Sequence, residues 1–127
     1  MERRREMREA RSKLGLVLVL LLIASCAGFS QSAYKGLVLS YHTYDGVLSS
    51  MGSLYKEGKV SEEQKAEAIK LGRVYAKAHN EAVGALATYE EAGGEANKDA
   101  YKVAAVAMGD ALSALIAYAR PIIERSE

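Results

Sequence analysis

Residues 57–64, Glu57-Gly58-Lys59-Val60-Ser61-Glu62-Glu63-Gln64, read as a tight connection between two helices. Gly58 stands where the C-terminus of a helix needs a residue in the left-handed conformation. Ser61 precedes Gln64 by three positions, the spacing of a capping box in which the serine hydroxyl accepts from the Gln64 amide while the glutamine side chain reaches back. Glu62 and Glu63 add negative charge at the positive end of the second helix. So short a turn makes the flanking helices antiparallel neighbours.

Upstream of this turn, Tyr34, Leu37, Tyr41, Tyr44, Leu48, Met51 and Tyr55 recur at alternating intervals of four and three, a heptad stripe that predicts a helix from about Ala33 to Lys56. Val38, Val47 and Leu54 widen it. Downstream, residues 62–92 offer two overlapping stripes, one of Ile69, Gly72, Ala76, His79, Val83 and Leu86, the other of Ala68, Leu71, Tyr75, Ala78, Ala82 and Tyr89. Two stripes imply burial on two sides, as for a helix placed between two others, and the Ala and Gly positions allow close axis approach. Gly93-Gly94 ends this helix, and Asn97 or a neighbour is expected to cap a third.

The third helix, about 97–123, carries Tyr101, Ala104, Met108, Ala111, Leu115, Tyr118 and Ile122 on one stripe, with Ala105, Leu112, Ile116 and Ala119 beside it. Pro121 has no amide proton for the Ala117 carbonyl and disfavours helical geometry at Arg120, so a kink or the helix end is expected there. The composition agrees: alanine-rich, one proline, no tryptophan, few β-branched runs. The expected fold is all-α, an elongated antiparallel three-helix bundle roughly 40 Å long at about 1.5 Å per residue. No 34-residue repeat signature suggests a solenoid.

The N-terminus has a different character. Leu14 to Ala24, LGLVLVLLLIA, is an apolar run too short for a spanning helix, which needs about 20 residues, and it follows Arg3, Arg4, Arg5, Arg8, Arg11 and Lys13. It ends in Ile23-Ala24-Ser25-Cys26: a branched apolar residue, a small one, a serine, then the chain's single cysteine. These four residues resemble the lipobox of bacterial lipoproteins. The resemblance implies that 1–25 is a cleaved signal peptide, that a diacylglyceryl group is attached to the Cys26 sulfur, and that the new amino group is acylated. At about 0.8 kcal/mol per buried CH₂, two or three chains hold a protein durably at a bilayer. The other reading of Cys26 is an unreactive cysteine in a hydrophobic helix. Glu2, Glu6 and Glu9 are unusual in a signal; translation from Met7 would leave Glu9 alone against Arg8, Arg11 and Lys13.

Removing the signal changes the charge. The whole chain has 17 basic and 16 acidic residues; six and three of these lie in 1–25, leaving 11 and 13, a net of −2. A mildly acidic domain has no electrostatic case for nucleic acid. With Cys26 acylated no thiol remains for a disulfide or a metal site. The expected organisation is signal peptide 1–25, lipidated tether 26–32 and three-helix domain 33–127.

Candidate chemistry is sparse. His42 and Asp45 lie three apart on the first helix and His79 on an inner stripe of the second; a bundle bringing them together would form a metal site, while the alternative is a core-bonded His79 and a solvated His42. Eight tyrosines against one phenylalanine suit half-buried positions, either a core rim or an exposed partner groove. Gly93-Gly94 lacks the Lys-Ser/Thr partner of a phosphate loop. No serine and histidine have nucleophile–base spacing. The sequence therefore suggests a non-enzymatic, cofactor-free module, anchored outside the cytoplasm through Cys26 and binding an envelope or periplasmic protein or another copy of itself. A small-ligand or metal-binding bundle and an uncleaved membrane-anchored accessory subunit are the alternatives. The same resemblance implies, since Ala27 stands where an aspartate would resemble an inner-membrane retention signal, that the expected destination is the outer membrane in an organism that has one.

Overall fold

The computed structural model describes the backbone of residues 2–127 and the side chains of residues 28–127. It contains α1 (Glu2–Lys56), α2 (Glu62–Ala92) and α3 (Glu95–Arg125), with no strand among the described residues. The chain divides into two units, Met1–Tyr34, helical from Glu2 onward, and Lys35–Glu127, an all-α bundle of three mutually packed helices.

The 57–64 connection forms as its residues require. Gly58 adopts φ +77°, letting Lys59 N–H bond to the Leu54 carbonyl at 2.9 Å and Gly58 N–H to the Tyr55 carbonyl at 3.0 Å, a paired bonding pattern that satisfies two otherwise orphaned carbonyls. Two residues later the Gln64 amide donates to Ser61 Oγ at 3.1 Å and the Ser61 amide donates to Gln64 Oε1 at 3.0 Å. Val60, between these devices, turns inward and is buried with Met51 of α1, Ala68 of α2 and Ala119 of α3. The reversal is thus tied to the core as well as capped.

Cross-helix contacts set the directions. Tyr55 bonds Glu62 beside the turn and Ser40 meets Tyr75 further along, so α1 and α2 are antiparallel. Ser40 also meets Met108, and Lys59 reaches the Ser126 carbonyl, so α3 returns alongside α1. Tyr75 and Leu115 are the largest side chains fully enclosed, at 0 % exposure. Removing a side chain such as Leu115 from water contributes about 1.5–3 kcal/mol. Elsewhere the interior uses alanine, at Ala68, Ala78, Ala82 and Ala119, which trades buried area for close axis approach.

Four details differ from the sequence expectation. First, α1 begins at Glu2 instead of near Ala33, and so includes the stretch 26–32 expected as a short tether; a single Gly28 costs a helix only about 1 kcal/mol. Second, α3 starts at Glu95 with Gly94 at the N-cap position, and Asn97 lies inside the first turn, its side-chain amide donating to the Gly93 carbonyl at 2.8 Å. Two glycines at φ +65° and +86° reverse the chain earlier than a side-chain cap would. Third, the helix does not end at Pro121, one of the two outcomes expected there: α3 runs through it to Arg125. Ile122 and Ile123 pack on the cluster around Ala119, and this burial outweighs the single bond lost at Pro121. Fourth, of the two stripes on α2 the one through Tyr75 is buried more completely: Ile69 and Val83 of the other are exposed.

Candidate functional site

Cys26 and residues 1–25, expected from the sequence to be a signal segment, lie outside the residues whose side chains are described. What the bundle shows is an aromatic cluster on the seam between α1 and α2. Tyr44 and Tyr75 stack with ring centroids 4.6 Å apart, and Tyr41 packs on Tyr44 at 5.9 Å. His79 sits 5.6 Å from the Tyr41 ring and 5.7 Å from the Tyr75 ring. The antiparallel hairpin produces this grouping because positions 41 and 44, one turn apart on α1, face 75 and 79, one turn apart on α2. Such ring pairs add about 0.5–1.5 kcal/mol beyond their area burial.

The Tyr75 hydroxyl ends at Ser40, with 2.7 Å between oxygens. Ser40 Oγ also lies 3.2 Å from the Leu37 carbonyl and 3.5 Å from Met108 Sδ. A serine hydroxyl has one proton, and a carbonyl is a far better acceptor than a thioether. Tyr75 therefore donates to Ser40, Ser40 donates to Leu37, and the sulfur contact is packing. Burial pushes the Tyr75 pKa above its ordinary value of 10.0. Burial does the same at Tyr101. At the bundle's turn end, Tyr55 is raised by its hydrogen bond to the Glu62 carboxylate, and Lys65 Nζ lies 4.2 Å above its ring.

The expected metal candidates are not brought together. His42 and Asp45 are exposed, whereas His79 is half-buried against aromatic rings, and no group of three His, Cys, Asp or Glu among the described residues is arranged to hold an ion. The tyrosine stripe divides: Tyr44 and Tyr55 are half-buried on the seam, while Tyr41 is 49 % exposed and Tyr34 still more so.

Sequence reasoning missed Ser40. Its signal is positional, three residues after Leu37 and four before Tyr44, on the same helical face. It also left Val103 and Val106 unassigned, and both are exposed, at 72 % and 64 %. An open groove of about 320 Å³ between α1 and α3 is floored by Val47, Ile116, Ala119 and Ile123, with Arg120 and Glu124 at its rim.

No protein-family model matches the chain, and neither a curated protein nor a solved structure shows detectable similarity to it.

Proposed function

We propose that this chain is a small lipoprotein, held at the cell envelope by acyl chains on Cys26, whose helical body is a non-enzymatic structural or protein-binding module. The observation that carries the reading is Ile23-Ala24-Ser25-Cys26, set at the end of the apolar run Leu14–Ala24 behind a basic segment. Exposed apolar side chains on the body support the second half: Val38, Leu39 and Tyr41 on α1, Val74 on α2, and Val103 and Val106 on α3. The anchor places the body outside the cytoplasm, facing the periplasm from the outer membrane where one exists.

Mass spectrometry of the protein extracted from membranes tests the anchor. The expected product begins at Cys26 with its sulfur and amino group acylated, and Cys26→Ser leaves the precursor uncut. An intact N-terminus with a free thiol overturns the lipoprotein reading in favour of an uncleaved membrane-anchored subunit. The apolar groove beside Val47 favours a second reading, a small-ligand bundle. Its test is a thermal-shift panel of apolar ligands, and no shift with any of them removes it.

A further inference from the structure

Across its most apolar window α3 has a mean hydropathy of 1.4, yet only 17 % of that window is buried. The bundle interior accounts for Tyr101, Met108, Leu115 and Ala119 and leaves the opposite face to solvent. That face is not an ordinary charged surface. From Val103 to Ala119 the helix carries one acidic side chain, the exposed Asp110, and no basic one, and its other exposed positions are Val103, Val106, Gly109, Ser113 and three alanines. A solvated helix face normally alternates charges; this one has the small residues that let a second helix approach closely.

We propose that the outer face of α3 pairs with α3 of a second copy of this chain, antiparallel and centred on the turn that carries Val106. The charges select this arrangement. An antiparallel pairing about Val106 brings Lys102 of each copy within reach of Asp110 of the other, twice by symmetry, and sets Val103 against Gly109. A parallel pairing sets Asp110 against Asp110. An antiparallel pairing centred on Asp110 does the same, and one centred further along the helix moves Val103 and Val106 off the contact. The Val106-centred form keeps the valines in the contact, gives Asp110 a basic partner and sets Asp99, the other exposed acid on this face, against the uncharged Ser113. One helix pair covers less than the ~1,200 Å² of a stable complex, so the dimer is weak in dilute solution. Confinement at a membrane surface raises its effective concentration.

The inference rests on the reading of the body as a protein-binding module and names its partner; it holds whether or not Cys26 is acylated. Sedimentation equilibrium of the full chain in detergent, with each sample's mass recorded, separates the two. The wild type is expected to show a monomer–dimer equilibrium. Lys102→Asp and Asp110→Lys are each expected to weaken the dimer by roughly tenfold or more, because each sets like charges across the interface. Mixing the two variants restores it, since Lys102→Asp in one copy then faces Asp110→Lys in the other. Both positions are exposed, and helical circular dichroism confirms that the variants fold. A wild type that stays monomeric at every concentration, single variants that dimerise like the wild type, or a mixture that fails to recover each overturns the proposal. An unprocessed mass in these samples overturns only the lipoprotein reading.

Discussion

Gly72 of α2 lies so close to Leu48 of α1 that a Cβ at position 72 would stand 3.3 Å from Leu48 Cδ1, with Tyr44 Cε2 at 3.4 Å. The hairpin is closely packed here, directly beside the Tyr44–Tyr75 stack. Gly72→Ala gains up to about 1 kcal/mol of helix propensity and requires only the mobile end of a half-buried leucine to shift. The net effect on urea unfolding is expected within about 1 kcal/mol of zero. Gly72→Leu has no such room and destabilises by about 1–3 kcal/mol. A leucine variant as stable as the wild type would show that the helices are not in contact here.

Tyr75 combines a stacked ring with a hydroxyl that Ser40 accepts. Tyr75→Phe keeps the ring and is expected to cost about 0.5–1.5 kcal/mol, the net worth of one hydrogen bond. Tyr75→Ala also opens a cavity and costs about 3–5 kcal/mol. Equal losses for the two would place the stabilisation in the hydroxyl rather than the ring, against the geometry.

Ser61→Ala removes the acceptor for the Gln64 amide and is expected to lower stability by about 1 kcal/mol. Gln64→Ala leaves that bond intact and should cost less. Thermal unfolding of the two variants together with the double variant measures their coupling; strict additivity argues against a reciprocal cap.

Pro121 interrupts the bonding of a helix that nevertheless continues to Arg125. Replacing this exposed proline with alanine restores an amide donor for the Ala117 carbonyl. Pro121→Ala should raise stability by about 1–3 kcal/mol. A loss of stability would mean that the last turn depends on the proline's geometry.

Burial raises the pKa values of Tyr75 and Tyr101 above the 10.0 of an unfolded chain. The folded state therefore holds these phenolic protons more tightly than the unfolded state does. This contribution is fully present below pH 10.0 and is lost as pH rises through the higher folded values. Stability should fall above that point, and Tyr75→Phe should flatten part of the decline. Denaturant midpoints between pH 8 and 11.5 check this, with an unchanged slope in Tyr75→Phe counting against a buried hydroxyl.

The parts of the fold that were legible are those governed by local chemistry. Gly58 and the Ser61–Gln64 pair each have a single low-energy solution, and the turn adopts it. The rotation of each helix was harder to read. On α2 the rows through Ile69 and through Tyr75 differ by a fraction of a turn, and both contain enough alanine to pass as core; only the position of α1 decides that Tyr75 is enclosed and Val83 exposed. The helix end expected as one outcome at Pro121 does not occur for a related reason, since the proline's local penalty is visible in sequence whereas the burial of Ile122 and Ile123 depends on three segments meeting. His79 looked interior from its spacing and sits at the rim because Tyr41 and Tyr75 fill the space beside it.

The connection at residues 57–61 also bears on the order of assembly. It joins α1 and α2 through contacts close in sequence, so their helical hairpin has a low entropic cost of closure, whereas α3 must bring Met108 back to Ser40 across most of the body. The two-glycine reversal at 93–94 joins α2 to α3 just as locally, so α2 belongs to both easily closed hairpins and only the contacts between α1 and α3 carry the long-range cost.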